Sequence, residues 1–307
     1  MRIVVLGSAA GGGFPQWNCN CANCSRVRAG DPAARPRAQS SLAVSADGNR
    51  WLLLNASPDL RQQIAANLAL NPSQPGRHSP IAAVALTNGD VDHVAGLLSL
   101  RESQPLALYA SARVLETLTA NSIFNVLASG LVARRELPLA ATVKLADRDG
   151  RELGLEIRAF AVPGKVALYL ENAADPGFGT RPGDALGLEV RDADGRGFFY
   201  LPGCAEMPPA LAERLKGAGL VFFDGTLWRD DEMIAAGVGT KTGRRMGHMS
   251  VSGPDGSLAA FAPLGVGRRI FIHVNNTNPI LLDDSRERAE TVASGWEVAF
   301  DGMEIVL

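Results

Sequence analysis

The sequence predicts a mixed α/β fold, and three observations lead to this prediction. Short apolar stretches rich in β-branched residues recur along the chain, mostly bounded by Gly, Pro, Asn or Asp, which is typical of strands. Helical spacing of apolar residues lies between these stretches. Strands dominate the early chain and regular helices come later, so the elements do not alternate as in a strictly parallel fold. No internal repeat and no break between two cores is visible, so we expect one domain over residues 1–307.

The predicted elements follow the chain in order. Nine strands are predicted from apolar runs, at residues 3–6, 41–44, 51–54, 81–86, 106–109, 153–157, 197–201, 220–223 and 270–274. Residues 297–307 are predicted to form a last strand that returns to a sheet. The first helix is predicted at 59–68, because Leu60, Ile64, Ala65 and Leu68 share one face and Pro58 suits a first helical position. Shorter helices are predicted at 112–118, 209–215 and 286–293.

Composition and charge exclude several classes of protein. Of the 307 residues 46% are hydrophobic, and 30 basic against 32 acidic side chains leave a formal charge of −2. This balance lacks the basic excess that binds nucleic acid or an anionic membrane surface. No apolar run approaches the roughly 18–20 residues that cross a bilayer, and the first run ends too soon for a signal peptide. We therefore expect a cytoplasmic protein with no nucleic-acid or membrane partner.

The first predicted strand leads into a glycine-rich turn at residues 7–13. A dinucleotide-binding fingerprint has glycines at relative positions one, three and six and then begins a helix. Here Ala9 takes the middle position, and Phe14, Pro15 and a group of cysteines follow where the helix would begin. We therefore predict no nucleotide cofactor, and interpret the glycines as a loop that lets backbone approach another group closely.

Three of the four cysteines lie within six residues, at Cys19, Cys21 and Cys24. Three thiolates in one tight loop suit Zn²⁺, which prefers tetrahedral coordination and accepts soft sulfur ligands. With a fourth ligand from elsewhere, such a site has no open position. The loop therefore predicts a structural zinc that carries out no chemistry. Unpaired buried cysteines and a redox pair are the alternatives.

A second group of polar residues follows the predicted strand 81–86. The turn after this strand carries Asp90, Asp92 and His93, and a helix is predicted directly after it. Side chains at the carboxyl end of a strand, beside a helix N-terminus, are where α/β proteins usually place their sites. Asp92 and His93 therefore become candidate metal ligands. The alternative is that Asp92 only caps the helix.

Other ionisable side chains occupy similar places. Asp224 follows the strand 220–223, His273 lies at the end of the strand 270–274, and His248 lies in a glycine-flanked loop. Polar groups at the ends of three separate apolar strands predict one convergent pocket.

Longer segments resemble the metallo-β-lactamase superfamily and, within it, the B proteins of pyrroloquinoline quinone (PQQ) biosynthesis. The resemblance runs essentially from end to end. The segments that carry it are LGSAAGGGFPQWNCNC (6–21), LNASPD (54–59), DVDHVAGLL (90–98), DGTLW (224–228), DDEM (230–233), GVGT (237–240), MGH (246–248) and HVNNTNP (273–279). The resemblance implies an αββα sandwich, in which helices flank two mixed β-sheets and the site lies along one edge.

The chain also departs from the superfamily pattern. Hydrolytic members carry His-x-His-x-Asp-His after the strand, whereas this chain has Asn88 and Asp90 in place of the two leading histidines. The aspartate that bridges two metals is replaced near Cys204. These losses argue against hydrolysis by paired metals. The ligands that remain are Asp92, His93 and His273, and two histidines with one carboxylate are the set used by non-haem Fe(II) oxygenases.

The resemblance implies iron-dependent hydroxylation, by O₂, of the tyrosine ring of a glutamate–tyrosine precursor of PQQ. The implied ion is Fe(II), with zinc as an alternative occupant. The implied catalytic or orienting residues are Asp90, Asp224 and His248, and Asp90 is close enough in sequence to be a further ligand instead. Basic residues at 239–245 are predicted either to bind precursor carboxylates or to form a solvated loop. In relatives with the same cysteine loop a histidine supplies the fourth zinc ligand. Its position here is Asn276, which we therefore take as a candidate fourth ligand.

Two other functions stay open on the sequence. A carrier would bind PQQ or its precursor for delivery or export to the periplasm, and it fits the missing second-metal ligands equally well. A metal-dependent hydrolase would need a binuclear site. The expected partner is a small-molecule or dipeptide precursor, and a homodimer is left open.

Overall fold

Two seven-stranded sheets lie face to face in the structure, a computed structural model that describes residues 1–307. The strands are β1 (Arg2–Gly7), β2 (Ser41–Ser45), β3 (Trp51–Leu54), β4 (Ile81–Ala85), β5 (Leu106–Ala110), β6 (Val132–Glu136), β7 (Thr142–Ala146), β8 (Glu152–Ala161), β9 (Leu186–Asp192), β10 (Gly197–Leu201), β11 (Leu220–Asp224), β12 (Arg268–Ile272), β13 (Glu297–Val298) and β14 (Glu304–Val306). The first sheet has the order β14-β1-β2-β3-β4-β5-β6, and the second β13-β12-β11-β10-β9-β8-β7.

Both sheets are mixed, with the parallel strands grouped on one side. Strands β3 to β6 are parallel in the first sheet, and β10 to β13 are parallel in the second. The parallel strand β11, LVFFD, is buried along its whole length, as expected for a strand covered on both faces. The carboxyl ends of these parallel strands supply the segments that build the site.

The main core lies between the sheets and follows from the two-residue period of a strand. In β1, Ile3 and Val5 enter the core between the sheets, whereas Val4 and Leu6 face outward. The outward face of the first sheet packs against helices through residues such as Leu60. Each sheet therefore buries both of its faces, which requires a layer of helices outside each one.

Eight α-helices are present: α1 (Ala22–Arg28), α2 (Leu60–Ala66), α3 (Val91–Val94), α4 (Ala112–Ala120), α5 (Pro209–Leu215), α6 (Glu232–Ala235), α7 (Ser257–Phe261) and α8 (Arg286–Ala293). Helices α2 and α4 cover the first sheet, and α5 and α7 contribute Leu211, Leu215 and Phe261 to the core outside the second. The predicted αββα sandwich is confirmed. No helix has both the length and the apolar character needed to span a membrane.

Several predicted boundaries are wrong for identifiable reasons. Residues 297–307 form two short strands in different sheets, not one, because the chain turns at Phe300 to Gly302. Helix α2 ends at Ala66, and Leu68 is 88% exposed, so it does not share the buried face. Strands β6, β7 and β9 were not predicted. The first two carry charged or half-exposed residues, and β9 follows a loop rich in Gly and Pro.

Candidate metal centre

The predicted convergent pocket lies where β4, β11 and β12 end. The turn after β4 leads into α3, which carries Asp92 and His93. Strand β12 ends at Ile272, so His273 is the first residue beyond it and adopts a left-handed backbone with φ of 60°. A cavity of about 510 Å³ opens at this edge, and Asp92, His93, His248 and His273 all line it.

The structure brings Asp92, His93 and His273 together. One ligand atom of each lies within 4.8 Å of the others. His273 Nε2 is 3.0 Å from Asp92 Oδ2, and His93 Nε2 is 3.9 Å from the same oxygen. Residues 181 positions apart in the chain therefore meet around one point beside the cavity.

The surroundings of His93 fit a bound cation. Its Nδ1 lies 2.7 Å from the amide oxygen of Asn88, which only accepts, so Nδ1 carries the proton and Nε2 is a bare lone pair. That Nε2 is buried and has no hydrogen-bond partner. Buried polar atoms are rarely left unpaired, because the lost hydration is costly. A metal ion between His93, His273 and Asp92 satisfies this nitrogen.

Protonation in this cluster follows from burial and from one carboxylate. Burial lowers the pKa of His93 to about 4, so its ring is neutral near pH 7. Burial opposes the charged forms of Asp92 and His273 as well. Their mutual hydrogen bond and the nearby charges outweigh it, so the pKa of Asp92 falls and that of His273 rises. Without an ion, His273 and Asp92 form a buried ion pair.

A second group, Asp224, His248 and His273, shares one histidine with the first. Asp224 is fully buried and its Oδ2 lies 2.7 Å from His248 Nδ1. This contact fixes the imidazole and leaves Nε2 of His248 without a protein partner at the cavity. The arrangement suits a proton carrier oriented by a carboxylate.

Asp90 has different surroundings from those expected of a ligand. It lines the same cavity, but it accepts a hydrogen bond of 3.3 Å from Lys165 Nζ and another from the backbone N–H of Leu168, and it is not part of the ligand group. The alternative that Asp92 only caps a helix is wrong. Asp90 is the N-cap residue of α3, and the Asp92 carboxylate contacts His273 instead.

The basic segment 239–245 divides between the two roles predicted for it. Arg245 donates to both oxygens of Glu171, at 3.0 and 2.7 Å, and stacks on Phe178, so this guanidinium is already engaged. Lys241 lines the cavity, and so does Lys165, which no sequence pattern had indicated. These two ammonium groups are the cations beside the cavity.

The position of the missing bridging aspartate holds a buried cysteine. Cys204 donates its backbone N–H to Asp224 Oδ2, and its thiol faces the carbonyl of Glu206. Burial raises the pKa of Cys204 to about 12, so it remains a neutral thiol. Together with Asn88 and Asp90, this residue removes most ligands of a second ion.

The cysteine loop forms a separate cluster. The sulfurs of Cys19, Cys21 and Cys24 lie within 4.8 Å of one another and none forms a disulfide. The side-chain amide of Asn276 faces all three, with Nδ2–Sγ distances of 3.2, 3.6 and 3.4 Å. Burial raises the pKa of Cys21 to about 11. Asn23 donates to three successive carbonyls at 276–278, which fixes the loop against the segment after His273.

Sequence reasoning missed two residues that contact the histidines. Asn88 was noted only as a lost histidine, yet it orients His93. Thr226 contacts Asp224, His248 and His273 at once. The only signal for Thr226 was its position two residues after the strand-end aspartate.

The fold and its edge site define the class. The model of the beta-lactamase superfamily domain matches residues 50–274, and the two facing sheets are those of a metallo-β-lactamase fold. A diphosphatase from the PhnP family shares this fold at 20% identity, with a TM-score of 0.68 and coverage of 100% of this chain and 97% of that one.

Relatives of much higher identity narrow the class to a family. Coenzyme PQQ synthesis protein B of Xanthomonas oryzae pv. oryzae is 55% identical, and that of Methylorubrum extorquens 52%, each over 100% of both chains. The crystal structure of Zn²⁺-bound PqqB from Methylobacterium extorquens is 51% identical, covers 100% of both chains and has a TM-score of 0.94. The chain belongs to the coenzyme PQQ synthesis protein B family of the beta-lactamase superfamily.

Proposed function

We propose that the chain is an iron-dependent hydroxylase of PQQ biosynthesis that acts on the tyrosine ring of a glutamate–tyrosine precursor. The observation that carries this proposal is the group Asp92, His93 and His273 beside a cavity, with the buried Nε2 of His93 unpartnered. Two histidines and one carboxylate with open positions are the ligand set of non-haem Fe(II) oxygenases. The identity to PQQ synthesis proteins supports the pathway.

Asp92, His93 and His273 would hold the ion. A ferrous ion held there would supply the activation of O₂. One oxygen atom would enter the ring, and the other would leave as water with two electrons from an external reductant and two protons. The neutral ring of His93 is ready to bind a cation, whereas His273 must first release the Nε2 proton that it shares with Asp92. Asn88 keeps the His93 ring oriented throughout.

His248 is placed to exchange protons with a bound substrate. Its Nδ1 is held by Asp224, and the ring lines the cavity with its Nε2 free. A phenol ring that gains a hydroxyl group must lose a ring proton, and His248 Nε2 accepts it. Asp90, in contact with Lys165, positions that ammonium group and does not bind the ion.

Lys165 and Lys241 recognise the carboxylates of the precursor. Both line the cavity, whereas both terminal nitrogens of Arg245 donate to Glu171. Lys241 lies farther from Glu171, at 3.9 Å. Lys165 donates to Asp90 and to the carbonyl of Val166. Each ammonium group has three donors and so keeps at least one for a ligand. A glutamate–tyrosine dipeptide carries two carboxylates and so matches two ammonium groups.

The cysteine cluster would hold a structural zinc with Asn276 at its fourth corner. The Asn276 amide has its Nδ2 toward the sulfurs, as suits a cluster without an ion. The two ends of an amide are nearly equal in shape, so a 180° rotation of the side-chain amide would present Oδ1 to the ion instead. Three sulfurs and one amide leave no open position, so this ion stabilises the loop.

The test is O₂ consumption by anaerobically prepared, Fe(II)-loaded protein with the glutamate–tyrosine dipeptide and a reductant. We expect O₂ uptake coupled to hydroxylated product, loss of both in His93→Ala, and full activity in the matched control His78→Ala. Tight PQQ binding without O₂ uptake would indicate the carrier instead. A binuclear zinc site with hydrolysis would restore the hydrolase.

A further inference from the structure

Thr226 lies at the centre of the polar groups behind the cavity. Its side chain follows β11 by two residues, and the residue is 4% exposed. The hydroxyl oxygen is 2.6 Å from Asp224 Oδ1, 2.9 Å from His273 Nδ1 and 3.1 Å from His248 Nδ1. One buried hydroxyl therefore contacts a candidate metal ligand, a candidate proton carrier and the carboxylate between them.

The direction of these hydrogen bonds is set by counting protons. A hydroxyl has one hydrogen to donate and two lone pairs to accept with. Two neighbours can only accept it, the carboxylate Oδ1 of Asp224 at 2.6 Å and the backbone carbonyl of His273 at 2.9 Å, and the bond to the carboxylate is the shorter. The Thr226 hydrogen therefore goes to Asp224, and the contact with His273 Nδ1 requires a proton on that nitrogen.

Asp224 acts as an acceptor toward every polar group around it, including the Thr226 hydroxyl. Oδ1 accepts from the backbone N–H and the hydroxyl of Thr226, and Oδ2 accepts from the backbone N–H of Cys204 at 2.9 Å. His248 Nδ1 completes the set at 2.7 Å from Oδ2. With both oxygens accepting, His248 too must carry its proton on Nδ1.

We propose that Thr226 is a positioning residue: with its own hydrogen given to Asp224, it fixes the orientation and the Nδ1–H tautomer of His273, while Asp224 does the same for His248 directly. Protons on Nδ1 of both rings leave each Nε2 directed toward the cavity. The two rings lie nearly parallel, with centroids 5.2 Å apart and an interplanar angle of 21°. Thr226 also lies 2.9 Å from the carbonyl of His273, the residue with the left-handed backbone.

The inference rests on the proposed ligand role of His273 but not on the hydroxylation reaction. Its experiment is therefore ¹⁵N spectroscopy of imidazole in zinc-loaded protein, combined with a zinc titration. Only four histidines contribute signals. We expect the wild type to show Nδ1–H for His248 and His273, and His273 Nε2 bound to zinc. A wild-type spectrum with either proton on Nε2 overturns the proposal without any variant.

Variants at residue 226 distinguish the loss of the hydroxyl's hydrogen bonds from the loss of side-chain packing. Thr226→Val keeps the shape and removes the hydroxyl, and we expect zinc affinity at the cavity to fall 10- to 100-fold, as for other partners of metal-bound histidines. Thr226→Ser restores the hydroxyl and is expected to recover the zinc affinity. Thr291→Val is the matched control, because Thr291 is buried and its hydroxyl bonds within its own helix.

Three further results overturn the inference: wild-type zinc affinity in Thr226→Val, no recovery of the affinity in Thr226→Ser, or equal losses in Thr291→Val. Failure of the hydroxylation assay with intact Nδ1–H signals would instead remove the proposed reaction and leave the positioning role of Thr226 in place.

Discussion

Two residues of one segment, three positions apart, belong to differently enclosed clusters. His273 belongs to the cavity cluster with Asp92 and His93, and Asn276 faces the cysteine cluster of Cys19, Cys21 and Cys24. Asp92, His93 and His273 border a cavity of about 510 Å³, so an ion among them keeps open positions. Asn276 covers the fourth side of the three sulfurs. Open coordination permits chemistry, whereas closed coordination serves folding. The difference teaches that the number of coordination positions closed by protein groups, and not the distance between the two sites along the chain, sets the role expected of each ion.

The ligand atoms reinforce this difference. The cavity offers two imidazole nitrogens and a carboxylate oxygen, which suit iron as well as zinc. The cysteine cluster offers thiolates, which favour zinc. We therefore expect the two clusters to select different metals, and the predictions below test that separation.

The largest effect is expected for His273→Ala. Loss of a direct ligand should weaken ion binding at the cavity by more than about 100-fold, the upper cost of losing a mere orienting partner. Metal analysis of reconstituted protein should find one ion per chain where the wild type has two. The control His78→Ala should keep two. If His273→Ala also keeps two, the cavity ligands are wrongly assigned.

Cys24→Ser should have the opposite distribution. Cys24 is fully buried among the other sulfurs, and its loss should release the structural zinc and cost about 4 kcal/mol of stability. The melting temperature, measured by calorimetry, should then fall by roughly 6 °C, because the unfolding entropy of a 307-residue chain is about 0.6 kcal/mol/K. The cavity should still bind its ion. Cys204→Ser, a buried thiol outside the cluster, should keep both ions. Loss of both ions in Cys24→Ser would show that the clusters are not separate.

The cavity cluster should give the metal-free protein a stability maximum near pH 6.5. His93 has a folded pKa of about 4, below its ordinary 6.5, so falling pH favours the unfolded state across that window. The loss amounts to about 3 kcal/mol by pH 4. His273 has a raised pKa, so its contribution is complete below pH 6.5 and disappears as pH rises through that pKa.

Urea denaturation from pH 4 to 9 measures this profile. The variant His93→Gln should lose the acid limb that His93 causes while keeping the alkaline one. An unchanged acid limb in that variant would assign it to other groups.

Asn276→Ala should have a smaller effect, confined to the cysteine cluster. Loss of the amide should weaken zinc binding there by about tenfold only, because the three thiolates remain and water can take the place of a neutral amide oxygen, and the cavity ion should stay in place. Asn276→His should tighten it, because imidazole is a common fourth ligand beside three cysteines. Competition with a chromophoric chelator measures both. Equal affinity in all three proteins would exclude residue 276 from the coordination sphere.

The sequence predicted the buried parts of the molecule better than the exposed ones. Strands such as β10, at 197–201, and helix α5, at 209–215, have the predicted bounds because continuous or periodic apolar residues define them. Strands β6 and β7 escaped prediction, since half-exposed strands with charged residues lack that signal. Their pairing comes from neighbouring strands, which a local pattern does not contain.

The same distinction holds for the site. The sequence allowed three candidate ligands to be identified, Asp92, His93 and His273, because few residues that can bind metals lie at the ends of predicted strands. Asn88, Thr226 and Lys165 were not identified, because their roles depend on partners far along the chain or on hydroxyl and amide groups that are common everywhere. Residues that orient other residues are visible only once the contacts are known.

The left-handed backbone of His273 lowers the free energy of unfolding of the protein. A φ of 60° is comfortable for glycine and strained for histidine, by about 1 kcal/mol or more. His273→Gly should therefore melt at a higher temperature than His273→Ala, although both lose the imidazole. The backbone strain at this one position lowers the stability of the fold, and the same backbone conformation directs the His273 imidazole toward the cavity.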